Sequence, residues 1–222
     1  MDSPGPASRR TTVRRHAERG QYDRQVIDAI LDEALVCHLG VVYDGRPHVI
    51  PTMYARHGDR IYVHGAMANR ALYELRQGAE ASLVVTLLDG LVMARSAFHH
   101  SMNYRSVVVL GRAVEVVDDA EKLAAMRALV EHVAAGRWAE TREPNPVELK
   151  STVILAMSLA EASAKVRTGP PIDDPADLAS PFWAGVIPLA LTPAAPQDAP
   201  DLNAPMPPPG YASNYRRRTG PA

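Results

Sequence analysis

The sequence predicts a mainly β protein, an antiparallel barrel that is closed or nearly closed and carries flanking helices. Three observations lead there. Turn signals at Asp44-Gly45 and His57-Gly58-Asp59 join strand-like runs into consecutive hairpins. Long valine-rich runs follow, centred on Val107-Val108-Val109-Leu110 in the second of them. Helices separate too few of these strands for a doubly wound parallel sheet, and no Gly-rich dinucleotide fingerprint follows the first strand.

Each element has its own signal. Residues 23–35 set Val26, Ile27, Ile30, Leu31 and Leu35 on one helical face, with Asp23 as N-cap. Residues 36–43 form a strand, Asp44-Gly45 turns it, and 46–56 return. The second turn leads into a strand over 60–64, where Ile61 and Val63 alternate with Tyr62. A short helix is expected over 69–77. Two β-rich runs follow, 81–97 with an interruption at Asp89-Gly90, and 104–117. Asp118 and Asp119 open a helix through 135 with an apolar face of Leu123, Met126, Leu129, Val130 and Val133. The last β signals lie at 152–159 and 164–168.

Composition bounds the rest. The 222 residues hold 24 basic and 25 acidic side chains, a balance that argues against a protein built to hold nucleic acid by charge. One cysteine, Cys37, excludes disulfide frameworks and multi-cysteine metal sites. Apolar runs fall short of the ~20 residues that span a bilayer, so no membrane contact is expected. Residues 1–20 are polar and show no secretory pattern, so a cytoplasmic protein is expected. Thirteen of 19 prolines lie between Pro170 and Pro221. The chain thus reads as a flexible arm over 1–20, a folded domain over 21–191, and an extended or disordered Pro-rich tail over 192–222. Arg216-Arg217-Arg218 in that tail reads as a solubilising end.

Two segments concentrate polar chemistry. In the first, Tyr62 to Arg70, a strand runs through His64-Gly65-Ala66 into a helix that begins with Asn69-Arg70. A cation in that first turn is better explained if it faces a phosphate, although a solvated Arg70 fits the same pattern. The second, His99 to Ser106, sets two histidines, Asn103 and Arg105 before the valine strand and suggests a lined cleft, or simply a polar loop. Eight histidines include no H-E-x-x-H pair, and His99 and His100 would point to opposite sides of a strand, so no metal site is expected. Cys37 reads as a core residue, and no G-x-S-x-G motif occurs.

Taken in order, Pro47 to Tyr54, Ile61 to Ala66, Asn69-Arg70, Asn103 to Val107 and Gly111-Arg112-Ala113 resemble the pyridoxamine 5′-phosphate oxidase-like, FMN-binding split-barrel superfamily. The similarity is to its branch related to nitroimidazole resistance reductases. Lys165 to Pro170 and Trp183-Ala184-Gly185 extend it to about residues 22–189. The resemblance implies a split β-barrel, FMN as cofactor and a homodimer with FMN at the interface. It implies that Val49, Ile50, Pro51 and Thr52 run along the flavin, that His64, Gly65 and Ala66 border it, and that Asn69 and Arg70 hold its phosphate. Arg105 and Ser106 would reach the flavin of the neighbouring subunit, with Arg105 stabilising charge on the reduced ring. The family's Ser-Arg-Lys phosphate triplet is here Ala68-Asn69-Arg70, and its Arg-x-His-x-Arg substrate pattern is missing, which argues against vitamin B6 oxidation. The expected function is an FMN-dependent oxidoreductase acting on a small organic acceptor, with His64 and His100 as candidates to place a proton. A flavin carrier without turnover, or a barrel using haem or a deazaflavin instead, are the alternatives.

Overall fold

The computed structural model describes residues 4–202 and 204–217. Its helices are α1 (Arg24–Glu33), α2 (Arg70–Arg76), α3 (Asp119–Val133), α4 (Pro146–Ser151) and α5 (Gly210–Ser213). Its strands are β1 (Gly20–Gln21), β2 (Val36–Tyr43), β3 (Arg46–His57), β4 (Arg60–Ala66), β5 (Glu80–Met93), β6 (Ser101–Glu115), β7 (Thr152–Ser158), β8 (Ala162–Arg167) and β9 (Gly185–Pro188).

Asp44 and Gly45 both take positive φ (50° and 68°), the geometry a two-residue hairpin demands and these residue types tolerate. The turn sets the β2–β3 register, Tyr43 opposite Arg46 through Val36 opposite Met53. All pairings are antiparallel, and they form a ring: β2–β3–β4–β7–β6–β5 and back to β2. β6 closes it. One edge pairs with β5 from Ser101 to Arg112; the other pairs with β8 over Tyr104–Val109 and with β7 over Ala113–Glu115. The barrel is therefore split where β8 leaves the ring, with β1 at its outer edge.

Period-2 alternation fills the inside with Cys37, Leu39, Val63, Leu83, Val85, Val107, Val109 and Leu155, all at most 1 % exposed. α1 closes one end of the barrel with Ile27, Ile30 and Leu31; α2 closes the other with Ala71, Leu72 and Leu75. The predicted cap Asp23 is present, and Asn69 and Asp118, expected to open their helices, are also caps; each of the three accepts a backbone N–H of the first turn.

Several expectations change. The Asp89-Gly90 interruption is a β-bulge inside one continuous strand, with the register shifting between Leu88 and Gly90. Gly90 is required there because a Cβ would lie 3.0 Å from Val186 and 3.1 Å from the Ile187 carbonyl, so β9 could not pair so closely. α3 buries Ala125, Leu129 and His132, whereas Val133 of the expected apolar face is 36 % exposed. The reason is local. Small Ala125 lets the helix lie close on Tyr62, Ile154 and Ala156, and His132 Nε2 meets the Ala34 carbonyl at 2.7 Å beyond the end of α1.

The expected flexible arm lies against the barrel. Thr11 is buried, Arg10 pairs with Glu80 and Glu161, and Tyr22 Oη accepts from the Val13 amide. The tail is exposed and without helix or strand over residues 192–202 and 204–208 and then returns: α5 forms, Tyr211 contacts Arg137 and Glu140, and Arg217 donates to the Glu33 carbonyl. Arg218 of the arginine run lies outside the described residues. No helix among the described residues is long and apolar enough to cross a membrane.

Tyr54 is fully buried and donates its hydroxyl to the Leu31 carbonyl near the end of α1 at 2.5 Å. Tyr54→Phe leaves that carbonyl without this partner, and urea unfolding will show a loss of about 1–2 kcal/mol.

Candidate functional site

The barrel wall has two faces, and alternation decides which predicted residues can meet. In β3, Val49 and Pro51 are exposed on the outside, and Met53 shares their parity. Tyr54 pairs with Val63, so His64 of β4 stands outside beside Met53, followed two residues on by Ala66. Ile50 turns inward and packs against the core. Thr52 and Gly65 share that inner parity; a Cβ on Gly65 would lie 2.7 Å from Leu72 Cδ1, so α2 sits tightly on this turn.

Met53 and His64 open into a pocket of about 550 Å³ under α3 and the turn after it. Its walls are Met53, Met126, Leu129, Val130 and Trp138, and Arg137, Arg142, Glu140 and Glu148 also line it. His64 Nδ1 is buried with no hydrogen-bond partner, and burial lowers the imidazole pKa. The ring is therefore neutral at pH 7 and carries a free lone pair. A neutral imidazole in an apolar pocket with guanidinium groups at hand can ligate a metal centre whose outer groups are anionic.

Asn69 and Arg70 stand at the end of β4 near the α2 end of the barrel. The Asn69 side chain accepts from the Leu72 amide at 3.2 Å. Arg70 is exposed, pairs with Glu74 at 2.9 Å and lies over the Tyr43 ring at 5.3 Å. The structure thus brings Val49, Pro51, His64 and Ala66 onto one outer face, with Asn69 and Arg70 beside it.

It does not bring Arg105 there. Arg105 has the parity of core residues Val107 and Val109, and its guanidinium lies at the α1 end of the barrel. It is bound by Glu33 and by Asp89, whose oxygens lie 2.8 and 3.0 Å away. Asp89 is the bulged residue, so the irregularity aims its carboxylate. These two acids, Asp89 first, hold the guanidinium charged far beyond its ordinary range. Ser106 does face outward, and its hydroxyl donates to the Lys165 carbonyl at 3.3 Å. Arg105 and Ser106 therefore sit on opposite faces of β6, a consequence of strand period that a contiguous motif conceals.

His100 is on the β5–β6 connection, where Nδ1 contacts the Ser96 carbonyl at 3.0 Å; it does not line the His64 pocket. Beside it, one group among the described residues could chelate a metal. His99, Asp174 and Asp177 place ligand atoms within 4.8 Å of one another on partly exposed loops. Cys37 is buried, and desolvation pushes its thiol up to about 12, which suits a core residue.

Sequence reasoning missed a second cavity, about 760 Å³, at the α1 end. Glu33 of α1 and His38, Thr86 and Arg105 of the barrel line it, with Pro193, Tyr215 and Arg217 from the tail. Its signal was Glu33, a carboxylate one turn after Ile30 on the buried face of α1. Trp138 was missed because it follows the helix in a short 3₁₀ turn with no periodic partner.

The ring of strands, the closing helices and the outer-face site together define a split β-barrel of the flavin-binding type of fold. Residues 23–166 match the pyridoxamine 5′-phosphate oxidase family, and the chain belongs to it. It is similar to the flavocytochrome Anf3 from Azotobacter vinelandii at 41 % identity, covering 96 % of this chain and all of that one, TM-score 0.91. It is also similar to the FAD and heme binding protein from Mycobacterium smegmatis, at 35 % identity over 91 % of this chain and 98 % of that one, TM-score 0.85. A Bacteroides thetaiotaomicron protein described as a 5-nitroimidazole antibiotic resistance protein shares the fold at 19 % identity, covering 66 % and 86 % of the two chains, TM-score 0.57. No curated protein matches the chain.

Two outcomes follow. Glu33→Ala removes one of the two acids on Arg105, and thermal or urea unfolding will show a loss of about 1–3 kcal/mol. For His64 the folded pKa lies below its ordinary 6.5, so below that pH the unfolded chain binds a proton that the folded chain resists. Stability of the cofactor-free chain is therefore retained above pH 6.5 and falls as the pH drops through it. His64→Leu will flatten the dependence in unfolding curves recorded between pH 7.5 and 5.

Proposed function

We propose that this chain is a redox protein that binds a flavin on the outer face of β3 and β4 and a haem in the pocket at His64. The observation that carries the reading is the His64 ring, neutral, with a buried unpartnered nitrogen, in a pocket of methionine, leucine, valine and tryptophan side chains flanked by Arg137 and Arg142. Such a lining fits a flat apolar macrocycle with an imidazole for the iron and guanidinium groups for the carboxylates. Similarity to a flavocytochrome and to an FAD and heme binding protein supports the pairing. The alternative in which haem replaces the flavin thus becomes one in which the two coexist.

Val49 and Pro51 would lie along the flavin, and Asn69 and Arg70 at its phosphate end, as the family resemblance implies. FMN is the flavin that resemblance names; the description of the Mycobacterium smegmatis protein supports FAD. When bound, the flavin supplies two-electron and the haem one-electron chemistry toward a small-molecule acceptor. His64 would hold the haem, leaving no residue here assigned to proton transfer. The exposed outer residues Val36, Val42, Val49 and Leu88 fit coverage by a second copy, an isologous homodimer with the flavin between chains.

The test is the purified protein itself. Absorbance and mass after denaturation will show both flavin and haem. His64→Ala will lose the Soret band and keep flavin absorbance, and Arg70→Ala will weaken flavin binding about tenfold. Reduction by a nicotinamide donor followed by reoxidation on adding an acceptor separates an enzyme from a carrier. A colourless protein that ignores added flavin and hemin overturns the proposal.

A further inference from the structure

At the α2 end of the barrel, where the tight hairpin brings β2 and β3 to their turn, a stacked pair of rings, a guanidinium and a third aromatic ring lie side by side. Tyr43 and His48 stack with centroids 3.6 Å apart and planes 10° from parallel. The Arg70 guanidinium carbon stands 5.3 Å from the Tyr43 centroid and 6.0 Å from that of Tyr73. Tyr73 is 48 % exposed, while Tyr43 is half-buried against the core and anchors the group. The Asp44-Gly45 turn, with both residues at positive φ, holds the hairpin in one register, so the stack is built before any ligand arrives.

We infer that this stack is the docking platform for the adenine of FAD. The inference rests on the reading that the flavin phosphate lies at Arg70. FAD extends FMN from that phosphate by an adenosine monophosphate, so whatever lies beside Arg70 receives the extra half. Beside Arg70 the chain presents the stacked Tyr43–His48 pair and the exposed Tyr73 ring, aromatic groups of the kind on which a purine stacks. The guanidinium serves both parts, since it pairs with phosphate oxygens and stacks on rings. Its present ionic partner, Glu74, is 21 % exposed against 64 % for the Arg70 side chain, so the pair is open on the guanidinium side, where a doubly charged pyrophosphate can join it. The platform thus makes the chain selective for FAD over FMN.

The experiment titrates the full-length chain with FAD and with FMN and compares the two affinities in wild type, His48→Ala and Tyr73→Ala. The wild type is expected to prefer FAD by a factor of about five or more, the range that one stacked base contributes. Each variant is expected to lose most of that preference by weakening FAD alone, while FMN affinity stays within about twofold. Arg70→Ala is the control and weakens both flavins. Equal wild-type affinities, or variants that keep the FAD preference, overturn the platform while leaving flavin binding standing. A wild-type chain that binds neither flavin fails at the underlying reading and takes this inference with it. Should Tyr73→Ala fold poorly, Tyr73→Leu keeps the apolar bulk and removes the ring, and the same comparison decides.

Discussion

Everything in this molecule depends on β6 serving two partners with one edge. Its first part pairs with β8 and its last three residues with β7, while β5 holds the opposite edge through Arg112. Without the exchange at Gly111-Arg112 the strands would form an open sheet, with rows of unpaired N–H and C=O groups at its rims. With it, the strands close around a core of branched side chains, and the two open ends need plugs. α1 and α2 supply them. The closed wall then has an outer surface that the core does not consume, and that surface is where ligand chemistry is possible.

One end of the barrel is held by charge. Arg105 points along the core side of β6 into a region that would be apolar, and Glu33 and Asp89 meet it there. A partly buried guanidinium between two carboxylates is a structural tie. It fastens the end of α1 to the bulge of β5, and the tail adds Arg217 on the Glu33 carbonyl. Removing any one member leaves its partners short of a counter-charge in a low-dielectric setting, so the cluster resists substitution and resists recruitment by a ligand.

The legible parts of the sequence were those set by local rules. The Asp44-Gly45 hairpin, the strand over 36–43 and the cap at Asp23 are decided within a few residues, and each is where pattern placed it. The buried face of α3 is not local. It depends on how near the helix can approach β4 and β7, and Ala125 permits a closeness that counting large aliphatics cannot see. The tail also misleads by composition. Its prolines disfavour regular structure, yet Tyr211 and Arg217 find partners on other elements, and such long-range contacts leave no periodic trace. For the site, the motifs point to particular strands, but alternation sends neighbouring side chains of a contiguous motif to opposite faces. Val49 and Pro51 face out where Ile50 packs inward, and Ser106 faces out where Arg105 does not. The apolar pocket around His64 was hidden because its walls come from β3, β4, α3 and the turn at Trp138, far apart in the chain.

Three other arginines show how such a surface stays receptive to an anionic ligand. Arg70 is paired with Glu74, Arg142 with Glu148 at 2.5 Å, and Arg137 with the hydroxyl of Tyr211 at 2.7 Å. All three guanidinium groups lie near the outer-face site or line its pocket, and their partners are on neighbouring exposed elements. The Arg142 guanidinium holds the Glu148 carboxyl down to about 2, yet both groups are exposed, so water and salt screen what that attraction contributes to folding. Pairs like these keep the surface near neutrality and prevent self-repulsion while no ligand is bound. They also exchange readily, because a phosphate or carboxylate offers a guanidinium the same bidentate geometry. Exposure therefore separates these four arginines: the one between Glu33 and Asp89 maintains the fold, and the three with exposed guanidinium groups remain available to a ligand.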